Sequence, residues 1–369
     1  MYAFIAAVKH TMFLNDDDFA RAPCLGEGPL SLAGRRLLDE ARKLPNTPWA
    51  QSLRALAVPY LWHSMERAFS DQGDPTAALT EAMTRWASFM QASERVHDGW
   101  PQAAERDERD VEAVTGDHYG SLFAGFDPMS YWEEPKRLLE ARLERNGVLL
   151  EGFGSAEVLD AGCGGGRYTV AWRLLGAKSA TGIDMSEIGI ADARRRVEAA
   201  PDLSGVSFEL GNVLDLPIES DRFDVVFSNG VLHHSKDWKK GIAELVRVLK
   251  PGGFGWLYLI ENPGGYFWDL IEILRLVTDG VSREAARDAL RAAGIPPNRR
   301  FYMLDHVMVP INIRLTPEEI ESALVENGAR QVRRFTRGAD FDRIEQIHRG
   351  EPYAEMKFGV GENRFAFSK

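Results

Sequence analysis

Val158-Leu-Asp-Ala-Gly-Cys-Gly-Gly-Gly-Arg-Tyr-Thr169 decides the fold. An apolar run that begins at Ala156 ends on the carboxylate of Asp160, breaks into glycines at Gly162, Gly164, Gly165 and Gly166, and gives way to a helical pattern from Arg167. A strand feeding a glycine turn and then a helix is the opening unit of a parallel α/β sheet. Glycine lets the backbone turn tightly and approach a ligand, and the first N–H groups of the helix lack intrahelical partners. The dinucleotide fingerprint G-x-G-x-x-G would need glycine or alanine at position 167, where this chain carries Arg167, so a nicotinamide dinucleotide is disfavoured. Asp160 points the same way, since a carboxylate ahead of the glycines repels pyrophosphate and accepts from an ammonium group.

Outward from this stretch the pattern alternates. Strand-like runs at 156–161, 180–183, 206–210, 223–228 and 254–260 are separated by helical runs at 167–175, 187–199 and 238–249. Two more strand candidates follow at 331–336 and 364–367. This predicts an α/β protein with a doubly wound, mostly parallel seven-stranded sheet, helices on both faces and ligands beyond the carboxyl ends of the strands. Between the fifth strand and the capping box Thr316-Pro-Glu-Glu319 lies an insert at about 262–315 with helical segments at 266–277 and 282–293. Its Tyr266, Phe267, Trp268, Phe301, Tyr302, Asp305 and His306 suit either a lid over a small molecule or a helix packed on the sheet. The first 115 residues read as helical, with Thr47-Pro48 and Asp74-Pro75 as starts, and contain no chemical motif. The expected division is a helical region at 1–115 and an α/β domain at 116–369 that carries the insert.

Composition bounds the function. In 369 residues, 44 Lys plus Arg face 55 Asp plus Glu for a net charge of -11, which disfavours non-specific binding to nucleic acid or anionic lipid. Two cysteines, Cys24 and Cys163, make no disulfide framework and suit a reducing cytoplasm. No apolar run reaches the 18 or so residues that span a bilayer, and no metal-ligand spacing is present. The reading is a cytoplasmic protein with a small-molecule substrate, without a nucleic acid, membrane or metal partner. The oligomeric state stays open, a homodimer included.

Asp184 ends the second strand about twenty residues beyond the glycines, where such sheets hydrogen-bond a ribose diol. With Asp160 it suggests a nucleoside ligand without phosphates. Gly211-Asn-Val-Leu-Asp-Leu-Pro217 offers the Asn212 amide to an adenine amino group and Val213 to its ring, and Asp224-Val-Val-Phe-Ser-Asn229-Gly-Val-Leu-His-His234 brings polar groups to the end of the fourth strand.

Five elements in order, VLDAGCGGGRYT, GIDMS, GNVLDLP, FDVVFSNGVLHH and LVRVLKPGG, resemble the class I S-adenosylmethionine-dependent methyltransferases over roughly residues 119–260. The resemblance implies a Rossmann-like methyltransferase fold, S-adenosylmethionine as cofactor and S-adenosylhomocysteine as product. It implies that Asp160, Gly162 and Gly164 line the methionine side, Asp184 binds the ribose, Met185 flanks the adenine, Asn212 and Val213 hold it, and Asn229 and Gly230 lie below the sulfonium. Tyr119 sits where relatives place an aromatic that closes over the cofactor. Relatives commonly carry aspartate at the position of Asn212, a departure that retunes adenine binding.

Methyl transfer from a sulfonium is an in-line displacement whose rate comes largely from alignment, so a base is optional. His233 is the first candidate base, from its place in the L-x-H pattern, and His234 the second, histidine titrating near neutrality. Glu261, just past the fifth strand, is a further candidate for contact with substrate. Arg330, Arg333, Arg334, Arg337 and Arg343 suit a solvated strand face or an anionic substrate. The favoured function is methylation of a metabolite at oxygen, nitrogen or carbon; the alternatives are a protein or RNA methyltransferase, a non-catalytic cofactor-binding subunit, and transfer of a modified alkyl group.

Overall fold

The computed structural model describes residues 28–70, 73–94 and 129–369. Tyr119, Cys24 and His97 lie outside the described residues. Helices α1 (Pro29–Lys43), α2 (Pro48–Ser70) and α3 (Pro75–Glu94) open the chain. Helix α4 (Glu134–Arg145) leads into β1 (Glu157–Ala161), α5 (Arg167–Leu174), β2 (Ser179–Asp184), α6 (Glu187–Glu198), β3 (Val206–Leu210), β4 (Phe223–Asn229), α7 (Trp238–Val248) and β5 (Leu249–Leu259). The insert folds as α8 (Gly265–Val277), α9 (Arg283–Ala292) and α10 (Pro297–Met308). The chain ends with α11 (Pro317–Glu326), β6 (Arg330–Arg334), α12 (Arg343–His348), α13 (Ala354–Phe358) and β7 (Asn363–Ser368).

The strands form one seven-stranded sheet in the order β3-β2-β1-β4-β5-β7-β6. The first five are parallel, and β7 runs antiparallel between β5 and β6. Side chains alternate in direction along each strand, and the two buried clusters follow that period. Leu159, Ala161, Val226, Leu257 and Leu259 pack with residues of α7 and α11. Val158, Val225, Phe227 and Trp256 pack on the other face with residues of α4 and α5. Both faces are thus covered, as parallel sheets require.

The β5 strand starts earlier than the expected position 254. Its register against β4 jumps from Phe223↔Leu249 to Val225↔Phe254, so Lys250-Pro-Gly-Gly253 loops out of the ladder and the strand resumes beyond it. The apolar pattern is therefore visible only after the loop. Helix α11 begins as expected: Thr316 Oγ1 accepts from the Glu319 N–H, and the Glu319 carboxylate accepts from the Thr316 N–H.

Packing divides the described residues into two units, one holding those between 28 and 94 with 263–310 and 352–359, the other holding 129–262, 311–351 and 360–369. The insert, expected within the α/β domain, therefore contributes residues 263–310 to the helical unit. Its aromatic side chains make the interior of that unit: Tyr266, Phe267 and Trp268 are buried, and Trp62 of α2 meets Phe267, Tyr302 and His306 edge-on at 5.7, 5.4 and 5.8 Å. The Phe301 side chain lies outside the described set. No helix among the described residues is long and apolar enough to cross a membrane.

Candidate functional site

The strand order reverses between β1 and β4, and a crevice opens there beyond the carboxyl ends of the strands. The glycine loop builds its floor. Gly162 has φ +82°, and a Cβ there would lie 2.4 Å from Val231 Cγ1; Gly166 has φ +80°, and a Cβ would lie 2.4 Å from the Phe208 ring. Both positions need glycine for their backbone and for the closeness of their neighbours. The Gly162 and Cys163 N–H groups donate to the Ile183 carbonyl at 2.7 and 3.0 Å, tying the loop to the end of β2. The result is a cavity of about 250 Å³ within the α/β unit, lined by Asp160, Gly162, Gly164, Asp184, Met185, Asn212, Val213, Asn229 and Gly230, with Cys163, Arg167, Tyr168, Gly211, Leu214, Val231, His234 and Ser235.

Two carboxylates converge on it. Asp184 accepts from the Gly164 N–H at 2.8 Å through one oxygen and from the Ser186 N–H at 2.8 Å through the other, so it fastens the glycine loop to the start of α6. Burial raises its pKa, against those backbone donors. Asp160, 2% exposed, accepts from the Thr169 hydroxyl at 2.7 Å. Burial pushes its pKa up to about 7; the Thr169 bond opposes this, and the Asp184 charge adds to it. The Cys163 thiol between them is driven well above its ordinary value, chiefly by burial.

The remaining expected residues divide. Met185 is 41% exposed at the cavity wall. The Asn212 amide oxygen accepts from the Leu214 N–H at 2.8 Å, so one lone pair shapes the 212–215 turn. Asn229 Oδ1 accepts from the Trp256 indole N–H at 3.3 Å, and the Gly230 N–H donates to the Tyr258 carbonyl at 3.1 Å. The two histidines differ in placement. They follow one another in the short turn at Leu232–His234, which points them in different directions. His233 is 2% exposed, its Nδ1 accepts from the Ile260 N–H at 3.3 Å, and it is not among the lining side chains. His234 does line the cavity, and its Nδ1 lies 2.7 Å from the Ile311 carbonyl, which fixes the proton of the neutral ring on Nδ1 and the lone pair on Nε2.

Glu261 is fully buried and held by Arg343, whose Nε and Nη2 donate to its two oxygens at 2.7 and 3.3 Å. The other arginines singled out in the sequence are also largely accounted for. Arg337 donates to Glu345 at 3.0 and 2.9 Å, and Arg334 donates to the Val360 and Gly361 carbonyls. Arg142 of α4 grips Asp342 through two bonds of 2.8 and 2.7 Å and donates to the Tyr168 hydroxyl at 2.8 Å. Arg364 lies 3.2 Å from the same Asp342 carboxylate. Burial alone would raise Asp342, but Arg364 and Arg142 hold it far below the usual carboxylate range. The bond from Arg337 is the main reason Glu345 falls to about 2.

Sequence reasoning passed over Arg167 and Tyr168 as cavity residues. Their position was the available signal, since the first turn after a ligand-facing glycine loop faces the same ligand.

A sheet ordered 3-2-1-4-5-7-6, with its last strand antiparallel, is the arrangement of the Rossmann-like methyltransferase fold, and a cavity with two carboxylates lies at its switch point. Residues 159–257 match the family model described as a methyltransferase domain. The chain is similar to an O-methyltransferase, resE, of Aspergillus sclerotiorum (32% identity over 146 residues, 37% of this chain and 55% of the relative). It is also similar to the 27-O-demethylrifamycin SV methyltransferase of Amycolatopsis mediterranei (32% over 178 residues, 45% and 65%). A third relative is the phthiotriol/phenolphthiotriol dimycocerosates methyltransferase of Mycobacterium tuberculosis (32% over 128 residues, 34% and 46%). The chain spans about half to two thirds of the length of these relatives.

Proposed function

We propose that the cavity binds S-adenosylmethionine and that the protein transfers its methyl group to a small-molecule acceptor, a hydroxyl oxygen first among the acceptor atoms. The observation that carries this reading is the convergence of Asp160 and Asp184 on one cavity at the β1/β4 switch. The donor set fits a cationic nucleoside: a buried and a half-buried carboxylate, a polar amide at Asn212 and a thioether at Met185, with no basic cluster to hold phosphates among the described residues. The hydroxyl preference rests on the names of two of the relatives, an O-methyltransferase and a 27-O-demethylrifamycin SV methyltransferase.

In this reading Asp184 accepts from the ribose hydroxyls with lone pairs that its loop contacts leave over. Met185 and Val213 flank the adenine, while the second lone pair of the Asn212 oxygen accepts from the adenine amino group. Asp160 faces the ammonium end of the ligand, and Asn229 and Gly230 form the wall below the sulfonium. When bound, the cofactor supplies a methyl group already activated as a sulfonium substituent. What the chain adds is alignment and a place for a proton, and His234, with its lone pair on Nε2, receives that proton from a hydroxyl acceptor.

Calorimetric titration with S-adenosylmethionine, S-adenosylhomocysteine and NAD tests the reading. Saturable micromolar binding of the first two with silence for NAD is expected; silence for all three, or binding of NAD, overturns it. A screen of hydroxylated metabolites with labelled S-adenosylmethionine then tests the transfer, and His234→Ala is expected to keep cofactor affinity while losing roughly 10²–10⁴-fold in turnover.

A further inference from the structure

The turn after β3 holds one side chain of the cavity wall in a single orientation. Asn212 lines the cavity. Its Oδ1 accepts from the Leu214 N–H at 2.8 Å, and its backbone carbonyl accepts from the Asp215 N–H at 3.0 Å. The turn is itself tied down at both ends: the Gly211 N–H donates to the Asp184 carbonyl at 3.0 Å, and the Leu216 N–H donates to the Glu244 carboxylate at 2.8 Å. A backbone N–H can be met only by the oxygen of a carboxamide, because the amino arm carries two donors and no acceptor. Rotating the amide by half a turn would therefore set donor against donor at Leu214. The oxygen is fixed on the side of the turn, and the Nδ2 arm diverges from it.

We infer that Asn212 sets the base specificity of the cavity: it reads two adjacent atoms of the base, Oδ1 meeting the 6-amino group and Nδ2 the ring nitrogen N1, and so excludes a 6-oxopurine nucleoside. The inference rests on the cofactor reading above and adds a discrimination to it. A carboxamide edge offers an acceptor beside a donor, and the amino edge of adenine offers a donor beside an acceptor. Asparagine selects adenine in the DNA major groove by the same kind of pairing, there against N6 and N7. A 6-oxopurine reverses both positions, since its oxygen accepts and its N1 carries a hydrogen. A free amide could flip to follow that reversal; the Leu214 N–H holds this one in place. The aspartate that relatives commonly carry here would offer two acceptors, and on either base these would meet one hydrogen and one lone pair. The amide therefore discriminates where a carboxylate does not.

The test compares S-adenosylhomocysteine with S-inosylhomocysteine, which differ only in the 6-substituent and the N1 hydrogen. Calorimetry on the wild-type protein is expected to give a preference of about 30-fold or more for the adenine ligand. Asn212→Asp keeps the turn, because a carboxylate oxygen also accepts from the Leu214 N–H, and should cut that preference about tenfold. Part of the change should appear as tighter binding of S-inosylhomocysteine than in the wild type, a gain that a merely loosened site does not produce. If the variant fails to fold, the 1-deaza analogue of S-adenosylhomocysteine serves on the wild type: it keeps the amino group, lacks N1, and should bind about tenfold more weakly than its parent. Equal affinity of the wild type for the adenine and 6-oxo ligands, or for the parent and its 1-deaza analogue, overturns the inference while leaving the cofactor reading intact. A preference that falls less than about threefold in Asn212→Asp does the same. Silence of the wild type toward S-adenosylhomocysteine overturns the two together.

Discussion

The α/β unit buries two sets of carboxylates and treats them in opposite ways. Asp342, Glu345, Glu261 and Glu362 sit among Arg142, Arg337, Arg343 and Arg364, and Asp342, Glu345 and Glu362 are held below their usual range by these partners. Asp160 is as deeply enclosed and Asp184 is half-buried; among the described residues they accept from a hydroxyl and from backbone N–H groups, and both are raised. Removing a carboxylate from water is costly unless a cation compensates it. Where the chain supplies the cation, the carboxylate braces the fold; where it does not, the proposed cofactor would supply it.

Breaking the brace should have the largest effect. Arg142→Ala removes two bonds to a buried carboxylate and the donor to Tyr168, and is expected to cost about 3–5 kcal/mol of stability, read as a lower urea midpoint at unchanged m-value. An unchanged midpoint would mean that Arg364 alone satisfies Asp342. Next in size, Asp184→Ala is expected to weaken S-adenosylmethionine roughly 100-fold, since charged hydrogen bonds to two hydroxyls are lost; a change under threefold would remove Asp184 from the site.

The pH dependence sharpens the contrast because the two sets have opposite signs. Folded Asp160, at about 7, holds a proton that the unfolded chain releases near its ordinary 3.8, so its contribution to stability declines as pH rises from about 4 to about 7 and is flat above. Glu345, at about 2, contributes stability that is complete above its ordinary 4.5 and is lost as pH falls toward 2. Asp160→Asn should therefore raise stability at pH 8 by roughly 2 kcal/mol and have little effect at pH 4; equal effects at both would contradict the raised Asp160. The smallest effect belongs to a solvated pair. In the helical unit, Arg85 and Glu81 meet one turn apart on α3 with side chains 70% and 62% exposed, and Glu81→Gln should change stability by less than about 0.5 kcal/mol.

The sheet was legible because its signals are local. Period-two apolar runs, glycines at a turn and a capping box are each read within a dozen residues, and they placed all seven strands and the cavity's glycine loop. The parts that escaped depend on distance or on a single turn. Arg142 and Asp342 are 200 residues apart, and nothing near either one names the other, so the arginines around 330–343 read as a solvated face or an anion site. Helices α12 and α13 span six and five residues, too few to show a period. The order of His233 and His234 depends on the rotation of one short turn, which the L-x-H spacing does not encode. The aromatic residues of the insert carried a pattern of burial without the identity of the partner, and they close on α2 of the helical unit.

The central claim is that Asp160 lacks a cation that S-adenosylmethionine supplies. Calorimetric titration of the protein with S-adenosylmethionine at pH 7, in two buffers of different ionisation enthalpy, measures the protons released on binding. A bound ammonium or sulfonium should draw Asp160 into its ionised form, so the account predicts release of about half a proton at pH 7, affinity that rises from pH 6 to pH 8, and loss of both effects in Asp160→Asn. Binding with no proton exchange in the wild type, or with the same exchange in the variant, would contradict it.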